Sequence, residues 1–394
     1  MSFWDVGLPQ LMNEALVPGA SLAIIRDGRI ADVVSCGVRH TRSPLSVDEN
    51  TVFDAASLSK PIFAQIVLQL VDQGKLTLDT LLVDQLADYI ADDPRASSIS
   101  VAHALSHSAG LPNWRSLEHP LRTYFAPGDR FSYSGEGFLY LQRVVEAVTG
   151  EQLDRLSQKL VFEPLGMTRT SFVWERRFEA NRAYGHNVFG TPALGNKPGE
   201  ANAAWSLQTC AVDYARFLIG ALDGTRLRPA TTQLALAPRI QVKHPGIENL
   251  GLSPEVVTTG VAWGLGWGLE PAAGTFFHWG ANGPFTAFTI GSLQDRSAFV
   301  IFTNGASGLS IMPEIVAHFS SGERPSLVWL DFVYHGAPVR RLFRAALARG
   351  TEAVWPEIKG AALKRDELIW IARGLNARGR EGESLWLLER VGAK

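Results

Sequence analysis

Cysteine is almost missing from this chain. Cys36 and Cys210 are the two in 394 residues, too few for a disulfide framework or a cysteine-built zinc site. One bond between them is left open, and two buried free thiols are the favoured reading. A surplus of positive charge is missing as well: 37 Lys and Arg stand against 39 Asp and Glu, a formal charge of -2. Nothing in that balance would hold a phosphate backbone, which excludes nucleic acid as a principal partner. Long apolar runs are also lacking. Ile66-Val67-Leu68 and Phe299-Val300-Ile301-Phe302 fall far short of a membrane span. The N-terminus, Met-Ser-Phe-Trp-Asp-Val-Gly, places Asp5 where a secretory signal carries basic residues, and no apolar stretch follows. A cytoplasmic location is the expectation.

What is present is a globular mixture, 46% hydrophobic and 19% charged, of a length that suits two or three domains or one large core. Asp27-Gly28, between Ser21–Ile25 and Arg29–Val34, predicts a β-hairpin. A helix is predicted from Ser57 to Gln73, closed by Gly74; Pro61 is tolerable only if that helix begins near Ser57. From about Leu76 to Leu227 helical patterns dominate, the clearest being Glu136–Val148 with Gly150 after it. Strand signals return at Phe285–Ile290 and Ser297–Thr303, joined around Gln294-Asp295, and a helix follows from Leu309 to Phe319.

Strands, a helical block and strands again predict an α+β fold in which both ends of the chain close one antiparallel sheet flanked by helices. The division reads as an α/β lobe from 1–56 and 230–320, a mainly helical inserted lobe over 57–229, and a helical C-terminal extension over 321–394. In that extension Arg340–Arg349 and Leu368–Leu388 are Arg-rich and amphipathic, suiting protein contact or oligomerisation. Residues 372–384 resemble one helix-turn-helix unit of a tetratricopeptide array, and a single unit cannot form a solenoid.

Ser57-Leu58-Ser59-Lys60 is an S-x-x-K sequence. Three residues apart on a helix, the hydroxyl and the amine share a face. A desolvated lysine can take the serine proton, and a helix N-terminus offers free N–H groups to developing negative charge. Alone the pattern is weak: a chain of this length holds roughly one or two by chance, and an N-capping serine beside a solvated lysine is the plainer reading. Tyr133, in Phe131-Ser132-Tyr133-Ser134-Gly135-Glu136-Gly137, sits in a loop where a phenol can serve as acid or base. An isolated tyrosine is more often packing. His278-Trp279-Gly280-Ala281-Asn282-Gly283 precedes a strand and fits an edge strand bordering a cleft, with the Ala281 N–H toward a substrate oxygen. His103 and His107 have the i, i+4 spacing of zinc ligands, but Ala104 stands where a metalloprotease helix carries glutamate, so a structural role is favoured and no metal is expected. Trp263-Gly264-Leu265-Gly266-Trp267-Gly268 lacks the lysine and hydroxyl residue of a phosphate loop,.

Taken together these segments resemble the serine hydrolases related to class C β-lactamases and penicillin-binding proteins. The resemblance runs in family order from about Pro18 to Asn304. Its pieces are Pro18-Gly19-Ala20, Phe53–Lys60, Ala104–Leu111, Phe131–Gly135, Phe162–Met167, Ala211–Phe217, Gly264–Gly268 and His278–Gly280. It implies a β-lactamase/transpeptidase-like fold with Ser57 at the start of a central helix between lobes. It also implies an acyl-enzyme on Ser57, Lys60 and Tyr133 managing the proton, and an oxyanion held by the Ser57 and Ala281 N–H groups. No cofactor is called for, and His107 would be structural.

Two departures matter. Gly135 stands where the family's Tyr-x-Asn motif carries asparagine, removing an amide that would contact an amide substrate. His278-Trp279-Gly280 replaces Lys-Thr-Gly or Lys-Ser-Gly; a neutral or half-charged imidazole binds a carboxylate less firmly than lysine does, and Trp279 narrows that wall. Gly135, His278, Trp279 and Gly280 thus become the candidate substrate-binding residues. The reading that follows is a serine hydrolase of small carboxylic esters, with amides left open. The alternatives are a β-lactamase, D-amino-acid peptidase or acyltransferase on the same machinery, or a non-catalytic binding protein that keeps the fold.

Overall fold

The computed structural model describes residues 2–90, 92–251 and 256–392. The hairpin forms as its turn dictates: β1 (Gly19–Arg26) and β2 (Arg29–Gly37) are joined by Asp27 and Gly28, both at positive φ, 51° and 72°, the signature of the tight turn that matches strand twist. β1 then pairs on its other side with the last strand of the sheet, Ala20 opposite Thr303 and Ile25 opposite Ala298. In chain order the remaining strands are β3 (Phe53–Ala56), β4 (Leu207–Thr209), β5 (Ile240–Gln241), β6 (Ala262–Trp263), β7 (Gly268–Glu270), β8 (Thr275–Asn282), β9 (Phe285–Ser292) and β10 (Ser297–Thr303). Among the described residues the large sheet is antiparallel with order β2-β1-β10-β9-β8-β7-β6-β5. Both ends of the chain therefore close one sheet, as the α+β reading expects.

The central strands are apolar on both faces because both faces are covered. Side chains alternate along a strand, and Ala23, Ile25, Val300 and Phe302 join one core while Leu22, Ile24, Phe299 and Ile301 join the other. Helices α1 (Phe3–Ala15), α4 (Ala211–Leu222) and α5 (Met312–Phe319) cover these faces, while α2 (Ser59–Asp72) and α3 (Gly135–Thr149) belong to the helical block whose apolar side chains join the first of the two cores. Each fully buried Ile or Phe contributes about 1.5–3 kcal/mol.

Several expectations need correction. The helix predicted from Ser57 begins at Ser59, with Leu58 as its cap. Ser57 lies in the turn ahead of it, closed by Leu58 N–H to Ala55 O at 3.1 Å and Lys60 N–H to Ser57 O at 3.0 Å. Pro61 is the third helical residue, where no intrahelical N–H is needed. β8 is not an edge strand: β9 pairs along all of it, and β7 covers Thr275–Phe277, so only His278–Asn282 has a free side. The block from Leu76 to Leu227 is less helical than its pattern suggests. Residues 106–134 contain neither helix nor strand, because Gly110, Pro112, Pro120, Pro127 and Gly128 break every run.

The extension also differs. Leu368–Leu388 is two helices, α8 (Arg365–Ala377) and α9 (Glu381–Arg390), parted at Gly379 with φ 76°. They follow α6 (Pro338–Arg349) and α7 (Thr351–Gly360), so two helical hairpins share a core of Leu342, Phe343, Val354, Ile371 and Leu375. The second hairpin packs on the first through Gly374, where a Cβ would stand 2.6 Å from the Phe343 ring. Cys36 and Cys210 are free thiols. No described helix is long and apolar enough to cross a membrane.

Candidate active site

The turn between β3 and α2 presents Ser57 half-buried. Ala56, just before it, is a non-glycine residue at φ 48°, a conformation that costs about 1–2 kcal/mol and aims the next residue out of the strand. Lys60, one turn along, is 1% exposed. Its Nζ lies 3.1 Å from Ser57 Oγ and donates to the Ala204 carbonyl at 2.8 Å. Burial pulls its pKa well below the ordinary lysine range, since no ion pair among the described residues offsets the cost of a buried cation,.

Tyr133 faces the same point. Its backbone N–H donates to Ile247 O at 2.9 Å, and Ser134 N–H donates to His107 Nδ1 at 2.9 Å. The ring stacks on His107 with centroids 4.2 Å apart and lies 5.0 Å from Trp279; Lys60 Nζ is 4.7 Å from its centre. Burial raises the phenol's pKa far above normal, opposed by the Ser57 hydroxyl beside it. Tyr133 Oη, His107 Nε2 and His278 Nε2 are all buried with no hydrogen-bond partner among the described residues. All three side chains lie around the Lys60 amine, which faces the Tyr133 ring and lowers the pKa of both imidazoles.

For His278, expected to be neutral or half-charged, burial decides for the neutral form. It is fully buried, its Nδ1 donates to the Trp279 carbonyl at 2.8 Å, and burial together with Lys60 pushes its pKa down to about 3. The imidazole is therefore neutral rather than half-charged at pH 7, and its free Nε2 carries a lone pair, which does not attract a carboxylate. Trp279 packs against Tyr133 and Trp329. His103 turns away from His107, toward the Ser98 carbonyl at 3.2 Å, and no three metal-ligating side chains converge among the described residues.

Gly280 lies against the Ser57 turn: a Cβ there would stand 2.5 Å from Ala55 O and 3.2 Å from Ser57 N. The β8–β9 connection closes on the Asn282–Phe285 pair around Gly283 and Pro284. With a two-residue loop that closing pair exchanges the backbone hydrogen bonds, so Ala281, opposite Thr286, turns its N–H and C=O away from β9. β7 has already ended on that side. The Ala281 N–H thus faces the side of β8 that β7 leaves open.

Gly135 begins α3 and donates to Asn113 O at 3.0 Å and to Asn113 Oδ1 at 3.1 Å. A Cβ at 135 would meet Asn113 O and the Trp114 ring, each at 2.8 Å. Residues that the sequence reading did not single out include Ala204, whose carbonyl anchors the lysine, and Trp114, which fills the place of a side chain at 135. Both come from irregular loops far away in sequence, and no local pattern announces them.

Residues 8–314 match the model of the family described as Beta-lactamase. The chain belongs to that family. It is a serine hydrolase group, and the match spans the sheet, the Ser57 turn and both later motifs. Penicillin-binding protein 4 of Amycolatopsis lactamdurans is 28% identical over 339 residues, covering 79% of this chain and 87% of that protein. Esterase EstB of Burkholderia gladioli is 30% identical over 200 residues, 43% of this chain and 50% of that protein. The octameric penicillin-binding protein homologue from Pyrococcus abyssi superposes with a TM-score of 0.69 at 22% identity, covering 86% of this chain and 80% of that one. This beta-lactamase-family chain has its α6–α9 hairpins beyond the family match.

Proposed function

We propose that the protein hydrolyses small carboxylic esters, and amides less readily, through an acyl-enzyme on Ser57. One observation carries the reading: Lys60 Nζ, stripped of solvent and with no ion-pair partner among the described residues, lies 3.1 Å from Ser57 Oγ. Two groups whose surroundings push their pKa values apart supply an acid and a base. Lys60, held neutral, takes the Ser57 proton as Oγ bonds to the ester carbonyl carbon. The oxyanion that forms lies between the Ser57 and Ala281 N–H groups. Tyr133, held protonated, gives its proton to the departing alkoxide as the C–O bond breaks, and recovers one from the Lys60 ammonium. Water then attacks the acyl carbon, its proton passing to the same pair, and Ser57 Oγ leaves with a proton restored. Gly135, Trp279 and Gly280 wall the substrate, and the His278 Nε2 lone pair accepts a hydrogen bond there.

A cationic carboxylate anchor at position 278 is missing from this arrangement, and a side-chain amide is missing at 135. Both favour a plain ester over a β-lactam or a cell-wall peptide, and the resemblance to EstB over 200 residues agrees. The same reading divides the chain into a sheet lobe (1–56 and 230–320), a mainly helical lobe (57–229) and an extension (321–394) assigned to protein contact or self-association. The deciding experiment combines a fluorophosphonate probe with p-nitrophenyl esters, nitrocefin and D-aminoacyl amides. Labelling at Ser57 that Ser57→Ala abolishes, with ester turnover well above the other two, is the expected result. Nitrocefin turnover matching the ester overturns the substrate choice, and absence of labelling overturns the mechanism.

A further inference from the structure

Asp54 is a buried carboxyl that the steps above leave unused. It is 2% exposed and forms no ion pair among the described residues. Instead it collects amide donors. Its Oδ1 accepts from Ala56 N–H at 2.9 Å and from Asn282 Nδ2 at 3.0 Å. Its Oδ2 accepts from Asn282 Nδ2 at 3.2 Å and Asn196 Nδ2 at 3.3 Å. The same Asn282 amide reaches the Trp205 carbonyl at 3.2 Å, next in sequence to the Ala204 carbonyl that anchors Lys60.

We propose, resting on the ester-hydrolase reading, that Asp54 is a positioning residue for the oxyanion site, its carboxylate tying the Ser57 turn and the end of β8 into one frame. Ala56 immediately precedes Ser57, and Asn282 immediately follows Ala281. One carboxylate therefore restrains the neighbours of both N–H donors at once. The bond to Ala56 N–H also holds that residue at its positive φ, which sets the direction of the Ser57 N–H. Through Asn282 the frame extends to the loop holding the lysine.

All four of these contacts come from N–H donors, so the ionised carboxyl suits them and an added proton would displace one. Burial acts the other way and raises the Asp54 pKa to about 7, against the help of Ala56, Asn196 and Asn282. The charged groups nearby do not neutralise it. Arg182, Tyr184 and Lys197 line the same cavity of about 350 Å³, but both cations pair with Glu179. In that lining β4 brings Gln208 and β9 brings Phe285, while β8 brings only the hydrogen-bonded Asn282 amide, with the neutral His278 farther along. The frame is thus complete above pH 7 and loosens below it.

The test uses Asp54→Asn and Asn282→Ala in the full chain, with p-nitrophenyl acetate and a fluorophosphonate. In Asp54→Asn, kcat should fall by roughly 10- to 100-fold, below the loss for removing an oxyanion donor outright, while KM changes by less than about twofold. The acid limb of kcat near pH 7 should vanish from that variant, leaving the limb set by Lys60. Asn282→Ala, which keeps the nucleophile turn intact, should show the same kcat loss and serves if Asp54→Asn does not fold. Wild-type kcat in both variants, or an unaltered limb near pH 7 in Asp54→Asn, overturns this inference while labelling of the wild type at Ser57 upholds the hydrolase. A wild type that neither labels nor cleaves esters removes both.

Discussion

Gly280 sits so tightly beneath Ser57 that a single methyl group on it would stand 3.2 Å from the Ser57 nitrogen and 2.5 Å from the Ala55 carbonyl oxygen. Both of these are backbone atoms, and neither can swing aside. Gly280→Ala must therefore move β8 away from the nucleophile turn. The expected cost in stability is about 1–3 kcal/mol, as for other overpacked sites. The catalytic cost should be larger, because the Ala281 N–H moves with the strand; a fall in kcat of about 10²- to 10³-fold is expected. Thermal unfolding and steady-state ester hydrolysis together check this, and near-normal kcat in a folded variant would remove Ala281 from the oxyanion site.

Lys60 and Tyr133 are both needed for acylation in this reading. Lys60→Ala and Tyr133→Phe should each slow acylation by at least roughly 100-fold, the loss expected for an acid–base group. Lys60→Arg should be as poor, because a guanidinium stays protonated. The stability effect has a definite sign. Lys60 binds its proton less tightly in the fold than in the unfolded chain, so the unfolded chain holds the extra proton between the two pKa values. Stability rises with pH across that window and is lost as pH falls through it. Lys60→Met should flatten this rise, measured as Tm against pH. An unchanged slope means the amine is solvated.

The sheet was readable in the sequence because its strands obey local rules: a two-residue turn at Asp27-Gly28, and β-branched and aromatic runs at Phe285–Ile290 and Ser297–Thr303. The S-x-x-K spacing likewise implies that Ser57 and Lys60 lie within reach, and the i, i+3 turn from Lys60 N–H to Ser57 O, just ahead of the helix, keeps them so. What the pattern could not convey is how non-local chain shapes the site. The Ala204 carbonyl and the Ile247 carbonyl reach Lys60 and Tyr133 from irregular segments. Asp54 and Asn282, separated by 228 residues, look like ordinary polar residues until the sheet brings them together. Sequence leaves the charge of His278 open between neutral and half-charged, because burial and a neighbouring amine decide it.

His278 makes the acid side of the stability profile testable. Its folded pKa lies near 3, below the ordinary 6.5, and His107 is lowered as well. As pH falls, the unfolded chain takes up these protons first, so stability present above about pH 6.5 is lost toward pH 3. Asp54, raised to about 7, works in the opposite direction, its stabilising share being lost as pH rises from about 4 to 7. His278→Gln removes one term alone. The drop in Tm between pH 6.5 and 4.5 should be smaller in that variant than in wild type. An equal drop would show that the imidazole is protonated in the fold.

The departure at Gly135 is enforced by its surroundings. An asparagine there needs a Cβ, and that atom would meet the Asn113 carbonyl and the Trp114 ring at 2.8 Å. Trp114 is 43% exposed and can turn outward, whereas Asn113 O already accepts the N–H groups of Gly135 and Glu136 and is fixed. Arg115 adds to the restraint, pairing with the buried Glu136 at 2.6 Å. Gly135→Asn should therefore lower stability by about 1–3 kcal/mol and weaken ester turnover without producing nitrocefin turnover. Adding Trp114→Ala relieves one of the two contacts, so the double variant should regain part of the lost Tm and not all of it. A Gly135→Asn variant with wild-type Tm that cleaves nitrocefin would show instead that the 113–115 loop yields freely, and that a single side chain separates this chain from β-lactam chemistry.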